Sequence, residues 1–241
     1  GLAYHFPQYR CVLHFSYNRL FVPPPIEYVI LSGYLGSEAA EEERKEGHLD
    51  TSFGIVRPYS QDFYEVGWTQ QLKHRLTLAI NAYHHRGENA FENAEISNTR
   101  LFLPVNFAEA RASGVEWTLR FANSEPKGIS AQLHYAASRV HFFGPVSGGL
   151  PSEELEEGER ITPAFDQRHT AAGSVLYKTP WRRFRTGVFF RYGSGTPSEE
   201  KFEFDGIAMH RMRRLDQHFT ADVFARLTLW EKDPQSLGLE F

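Results

Sequence analysis

Apolar and polar residues alternate along most of this chain. Val115, Trp117, Leu119 and Phe121 are apolar, while Glu116, Thr118 and Arg120 between them are not. A period of two marks a strand with one apolar and one polar face. The same pattern covers 9–21, with Tyr9, Cys11, Leu13, Phe15 and Tyr17 on one face and Arg10, His14, Ser16 and Asn18 on the other. Over 62–72, Val66, Trp68 and Leu72 oppose Glu65, Thr69 and Gln71. Over 75–86, Leu76, Leu78, Ile80 and Ala82 oppose Thr77, Asn81 and Tyr83. Further strands are expected at 110–122, 129–142, 166–178, 183–192, 215–230 and 236–241, with a stub before Pro7. The total is about ten strands. The strand at 183–192 is less regular, because Phe189 falls on the polar side.

The connections carry a second pattern. Short ones fall at 7–8, 73–74, 123–128, 179–182 and 231–235. Long ones fall at 22–61, 87–109, 143–165 and 193–214, and the two kinds alternate. A soluble sandwich has no reason to keep every long loop at one end, and structureless loops of this length are uncommon in compact domains. Bacterial outer-membrane barrels have this asymmetry, with short periplasmic turns and long extracellular loops. Aromatic residues lie toward strand ends, at Phe63, Tyr64, Tyr83, Phe142, Phe143, Trp181, Phe184 and Trp230. They suit an interfacial girdle and the ends of a sandwich equally.

Composition narrows the choice. The chain has 241 residues, of which 41% are hydrophobic. No run approaches the ~18 continuous apolar residues of a membrane helix; the best candidate, 26–36, is too short and follows three prolines. A barrel is compatible with this, since its strands carry their apolar half in alternation. A net charge of −4 argues against a nucleic-acid partner. The single Cys11 permits neither an internal disulfide nor a zinc site built from cysteines. The opening, GLAYHFPQYR, reads as the tail of a strand with no signal peptide. The expectation is a piece cut from a longer precursor.

An ordered series of motifs then becomes recognisable: SYNRLFVPPP (16–25), VRPYSQDFYEVGW (56–68), ARASGVEWTLRF (110–121), ITPAFDQRHTAAGSVLY (161–177), RYGSGTP (191–197) and DQHFTADVFARL (216–227). The chain resembles the C-terminal part of the β-barrel of a TonB-dependent outer-membrane receptor. The resemblance implies an all-β, antiparallel transmembrane segment, about ten strands of a barrel of roughly 22 around a plug. It implies transport of a scarce nutrient across the outer membrane, of the iron–siderophore, cobalamin or carbohydrate class. The implied partners are outer-membrane lipid, the receptor's own N-terminal plug domain, the TonB–ExbB–ExbD energy-coupling complex and a small-molecule substrate. The plug, the TonB box and the last strand are expected to lie outside residues 1–241. On this reading Val115, Trp117, Leu119 and Phe121 face lipid. Glu65, Glu116, Arg120, Arg185, Arg191, Asp222 and Arg226 face the watery interior.

No catalytic residue, cofactor site or metal site is expected, and the chain reads as a non-enzyme. His84 and His85 are strand neighbours and point to opposite faces, so they cannot share an ion. His134 and His169 read as polar lumen residues. His210 and His218 flank a basic loop, RMRR (211–214), which an anionic ligand would suit, although a solvated loop is the simpler reading. GSGTP (193–197) lacks the lysine and following helix of a phosphate loop and reads as a strand exit. The glutamate-rich runs 38–47 and 152–160 lie on the long-loop side, as solvated loop tips or as attractors of a cationic substrate. Two other readings stay open: a self-contained smaller outer-membrane barrel, porin-like or enzymatic, and a soluble all-β binding domain with Trp68, Trp117 and Leu78 in a dry core.

Overall fold

The computed structural model describes residues 1–27, 29–30, 56–95, 102–123, 125, 127–147, 156–181, 183–204, 207–232 and 235–240. The strands are β1 (Leu2–Phe6), β2 (Cys11–Val22), β3 (Tyr59–Lys73), β4 (Leu76–Glu95), β5 (Phe102–Phe121), β6 (Gly128–Ser147), β7 (Arg160–Ile161), β8 (His169–Lys178), β9 (Phe184–Gly193), β10 (Pro197–Phe204), β11 (Ile207–Arg214), β12 (His218–Lys232) and β13 (Gln235–Glu240). One antiparallel sheet runs in the order β1-β2-β3-β4-β5-β6-β8-β9-β12-β13, and β7 adds to β6. The strands β10 and β11 form a separate hairpin. Each main strand therefore pairs with its predecessor in the sequence, apart from the excursions that β7 and the hairpin make.

The register places the alternation on two continuous faces. Trp117 lies opposite Ile80 and Tyr135. Ile80 lies opposite Trp68, which lies opposite Leu13. Tyr135 leads to Ala171, Tyr192 and Phe219. Residues paired across an antiparallel ladder share a face, so this row is apolar across eight strands. One residue along, the row is His14, Gly67, Asn81, Glu116, Ala136, Thr170, Gly193 and His218. The polar set expected for the interior falls on this second face.

No second sheet covers the apolar face among the described residues. Val66 is 53% exposed, Val115 45% and Val223 72%. Exposed apolar area of this extent marks a surface that meets something other than water. The reading that put Trp68, Trp117 and Leu78 into a dry soluble core is at odds with it.

Several expected boundaries move. Residues 87–109 are mostly strand, since β4 and β5 stay paired out to Glu95 and Phe102. The apolar period fades beyond Ala82 and Val115, so hydrophobicity stops reporting a ladder that the backbone continues. A strand of 20 residues is roughly 65 Å long, far more than a bilayer needs. The expected loop at 193–214 contains the β10–β11 hairpin. The expected strand at 166–178 starts only at His169, because Asp166 closes a turn through its N–H onto the Pro163 carbonyl at 3.0 Å.

Two motif glycines make room on the polar face. A Cβ on Gly67 would lie 2.0 Å from His14 Cε1, and one on Gly114 would lie 2.7 Å from Tyr83 Cζ. The glycines of YEVG and SGVE are thus the floor over which neighbouring rings lie. The small buried core sits at the long-loop end, formed by Ala90, Val105, Phe107, Ala110 and Phe142. Phe107 stacks on Phe142 at 4.8 Å. The β5–β6 register shifts between Phe107 and Glu109, and Asn89 adopts a left-handed φ of 56°.

Candidate functional site

Two of the concavities on the polar face combine polar and aromatic side chains. The first, about 490 Å³, is lined by Gln132, His134, Ala172, Ser174, Phe189, Arg191 and Asp222. His134 bonds Thr118 Oγ1 through Nδ1 at 2.8 Å and contacts the Gln132 amide through Nε2. Arg191 and Asp222 approach at 4.0 Å and both are well exposed. Phe189, the irregular residue of its strand, stacks on Phe224 at 5.5 Å. This wall therefore mixes open charge with an aromatic patch. Further along, Glu65 takes a 2.9 Å contact from His14 Nε2 across the Gly67 gap.

The second concavity, about 290 Å³, lies at the long-loop end beside the aromatic core. Its polar edge is a chain of three side chains. The Tyr59 hydroxyl donates to Gln61 Oε1 at 2.6 Å, and Gln61 Nε2 lies 2.7 Å from His85 Nδ1. The amide nitrogen can only donate, so His85 Nδ1 is the acceptor and its proton sits on Nε2. Phe63 packs edge-on against His85 at 4.3 Å. Ala90, Ala110 and Ala112 leave the floor of the hollow open, and Phe91, Phe142 and Phe165 wall it. The arrangement suits a flat, uncharged group with one acceptor toward His85.

The rim is held by two buried polar side chains. Asp166, 1% exposed, accepts from Arg214 Nη2 at 2.7 Å, from Val140 N at 3.0 Å and from Arg168 Nε at 3.3 Å. Arg214 Nη1 also donates to the carbonyls of Asp166 and Gly195 at 2.6 and 3.1 Å. Burial opposes the Asp166 charge, but the bonds from Arg214, Val140 and Arg168 outweigh it and lower the pKa. Asn106, fully buried, accepts from Arg57 N at 2.7 Å and donates to the Arg57 and Asn89 carbonyls at 3.1 and 2.8 Å.

The expected site residues distribute as follows. His84 and His85 do lie on opposite faces, since His85 pairs with Phe63 and His84 with Tyr64. His134 is on the polar face. His169 is not: it is the register partner of Ala137 and bonds Tyr135 Oη at 2.9 Å, which puts it on the apolar face near its edge. The RMRR segment is strand β11 rather than loop. Arg214 is committed to Asp166, and Arg213 lies 4.0 Å from Asp216. GSGTP is a strand exit, with Gly195 at φ 81° and its Cα against the Leu215 carbonyl. The run 38–47 lies outside the described residues, as does 152–155; Glu156, Glu157 and Glu159 are exposed. Among the described residues no group of three His, Cys, Asp or Glu is arranged to hold a metal. Sequence reasoning missed Asn106, which carries no pattern signal, and passed over Asp166 inside a quoted motif.

Solved structures carry the same architecture. The pyoverdine outer-membrane receptor FpvA of Pseudomonas aeruginosa, bound to pyoverdine, superposes with a TM-score of 0.58 over 93% of this chain and 28% of its own, at 14% identity. The FrpB iron transporter of Neisseria meningitidis gives 0.60 over 98% of this chain and 32% of its own, at 15% identity. The fold is that of a segment of these outer-membrane receptors, an antiparallel meander with unlike faces. This is the fold the motifs implied. The chain spans about a quarter to a third of the length of the receptors it matches. No family model matches the sequence, and no curated protein does either.

Proposed function

We propose that this chain is a C-terminal part of the barrel wall of a TonB-dependent receptor in the outer membrane of a Gram-negative bacterium. One observation carries the reading: a meander of ten paired strands with a continuous exposed apolar face follows the path of outer-membrane iron receptors over nearly its whole length. The apolar face meets lipid, and the polar face lines the lumen. The 490 Å³ hollow is turned toward the space that an N-terminal plug would occupy. The 290 Å³ hollow sits at the external mouth, where a substrate arrives.

The work of this piece is import without covalent chemistry. The substrate class best supported is an iron–siderophore complex, because the similar structures are a pyoverdine receptor and an iron transporter. Energy would come from TonB–ExbB–ExbD acting on the plug, and the wall would supply contacts and a path.

The test uses the intact receptor in its own cells. Uptake of labelled ferric siderophores, cobalamin and oligosaccharides is measured with and without the receptor, and with and without TonB. Iron–siderophore uptake that needs both is the expected result. Uptake that persists without TonB would leave a passive porin-like barrel instead.

A further inference from the structure

The apolar face changes character at the long-loop end. Its last apolar row is Val66, Ala82, Val115 and Ala137. The next row on the same face is Tyr17, Tyr64, His84, Ser113 and Arg139. The row after that is Arg19, Asp62, Arg86, Arg111 and His141. Arg160 follows, as the register partner of Phe143. Two residues along a strand are roughly 7 Å, so these cations begin one step beyond the apolar band. Tyr17 and Tyr64, with ring centroids 5.1 Å apart, lie in the row where the change occurs.

Three carboxylates face them. Asp62 accepts from the Tyr17 hydroxyl at 2.8 Å. Glu88 stands opposite Glu109. Glu109 is shared by Arg86 at 2.8 Å and Arg111 at 2.5 Å. Arg111 also lies over the Phe143 ring at 4.6 Å, which fixes its guanidinium plane. Arg139 and Arg160 are exposed and have no ion pair among the described residues. The patch thus keeps surplus positive charge, in guanidinium groups whose fork matches phosphate oxygens.

We infer that Arg111, Arg139 and Arg160 form a seat for the phosphate-bearing headgroup of a lipid in the leaflet on the long-loop side. A lipid with its chains along Val115 and Ala137 carries its headgroup to the level of Arg139. Anionic headgroups attract basic residues at this depth, and long side chains reach them while their stems cover apolar surface. This inference rests on the membrane placement proposed above and goes beyond it, since transport does not require a particular lipid.

The experiment uses the intact receptor in phosphatidylcholine nanodiscs doped with phosphatidic acid, and counts retained lipids by native mass spectrometry. The parent is expected to enrich phosphatidic acid over phosphatidylcholine. The triple variant Arg111→Gln, Arg139→Gln, Arg160→Gln is expected to lose that enrichment by about tenfold. Arg139→Glu, at an exposed side chain with no partner to disturb, is expected to lose most of it alone. The pair Arg120→Gln and Arg191→Gln on the polar face is expected to leave it unchanged. Enrichment that survives both the triple variant and Arg139→Glu, or falls equally in the polar-face pair, overturns the seat. So does release of the lipid by millimolar inorganic phosphate, which would mark a site for the free anion. Failure of the parent to associate with any bilayer would instead overturn the membrane placement.

Discussion

Replacing Asp166 with asparagine should loosen the long-loop rim without disturbing the ladder below it. Asp166 is 1% exposed, and its Oδ2 receives Arg214 at 2.7 Å and Arg168 at 3.3 Å. Asparagine can still accept from Val140 N, but its amide nitrogen then faces a guanidinium that can only donate. Hydrogen bonds to charged groups contribute about 1.5–3 kcal/mol, and breaking a buried pair costs about 3–5 kcal/mol. Arg214 is about a third exposed, so water recovers part of its loss, and about 2–3 kcal/mol is the expected cost. The rupture is local, because Arg214 ends β11 and binds the Asp166 and Gly195 carbonyls at its root. Hydrogen exchange in the intact receptor reads it directly, since local opening sets the rate. The Leu215 amide, held by the Thr196 carbonyl at 2.8 Å, should exchange roughly 30–150-fold faster, at 1.36 kcal/mol per decade. The same reasoning fixes the acid limb. The folded pKa lies below the ordinary 3.8, so the joint is fully formed above that value and weakens only as pH falls through the lower one. Exchange at Leu215 within about threefold of the parent would refute the assignment of Asp166 as the rim's anchor.

Other expectations follow from the two faces. Leu119→Arg should destabilise the intact barrel in lipid by about 2–4 kcal/mol, and Thr118→Arg by much less, in denaturant titrations from vesicles; equal losses would mean that the faces are misassigned. Gly114→Ala sets a Cβ 2.7 Å from Tyr83 Cζ and 2.8 Å from the Ala137 carbonyl, so it should cost about 1–3 kcal/mol in the same titration, and adding Tyr83→Phe should not relieve the backbone part. His85 should show the neutral Nε2–H tautomer at pH 7 in nitrogen-15 spectra, since Gln61 Nε2 donates to its Nδ1. A ring with both nitrogens protonated would set two donors face to face at Gln61, so a spectrum showing that form at pH 7 would refute the chain of bonds.

The fold was legible wherever a strand has unlike faces. Val115 to Phe121 reports its own geometry because one face of the strand is apolar and the positions between are not. The signal stops at the band's edge. Residues 87–95 and 102–109 are strand without a period-two alternation, so their sequence gives no strand signal while their backbones stay paired. The hairpin β10–β11 was hidden for the same reason. His169 was misplaced although the alternation through Ala171, Val175 and Tyr177 already sets it on the apolar side, where it pairs with Ala137. The hollow at the mouth was not legible at all: Tyr59, Gln61 and His85 meet across two strands, and nothing in one dimension joins them.

The motifs that made the chain recognisable share a physical trait. Most of their residues hold the backbone rather than line a hollow. Gly67 and Gly114 leave room for His14 and Tyr83, Arg57 is tied through its backbone to Asn106, and Asp166 and Gly195 meet at Arg214. These positions solve a problem common to any wide barrel, namely how a strand crosses a crowded neighbour or turns into a long loop without leaving a polar group unpaired. That demand is set by the wall and not by the cargo. It accounts for a shared backbone path at 14–15% identity. On the proposed reading, substrate choice is to be sought at His85, Ala90, Phe91, Val140 and Phe142, the part of the mouth hollow's lining that no quoted motif contains.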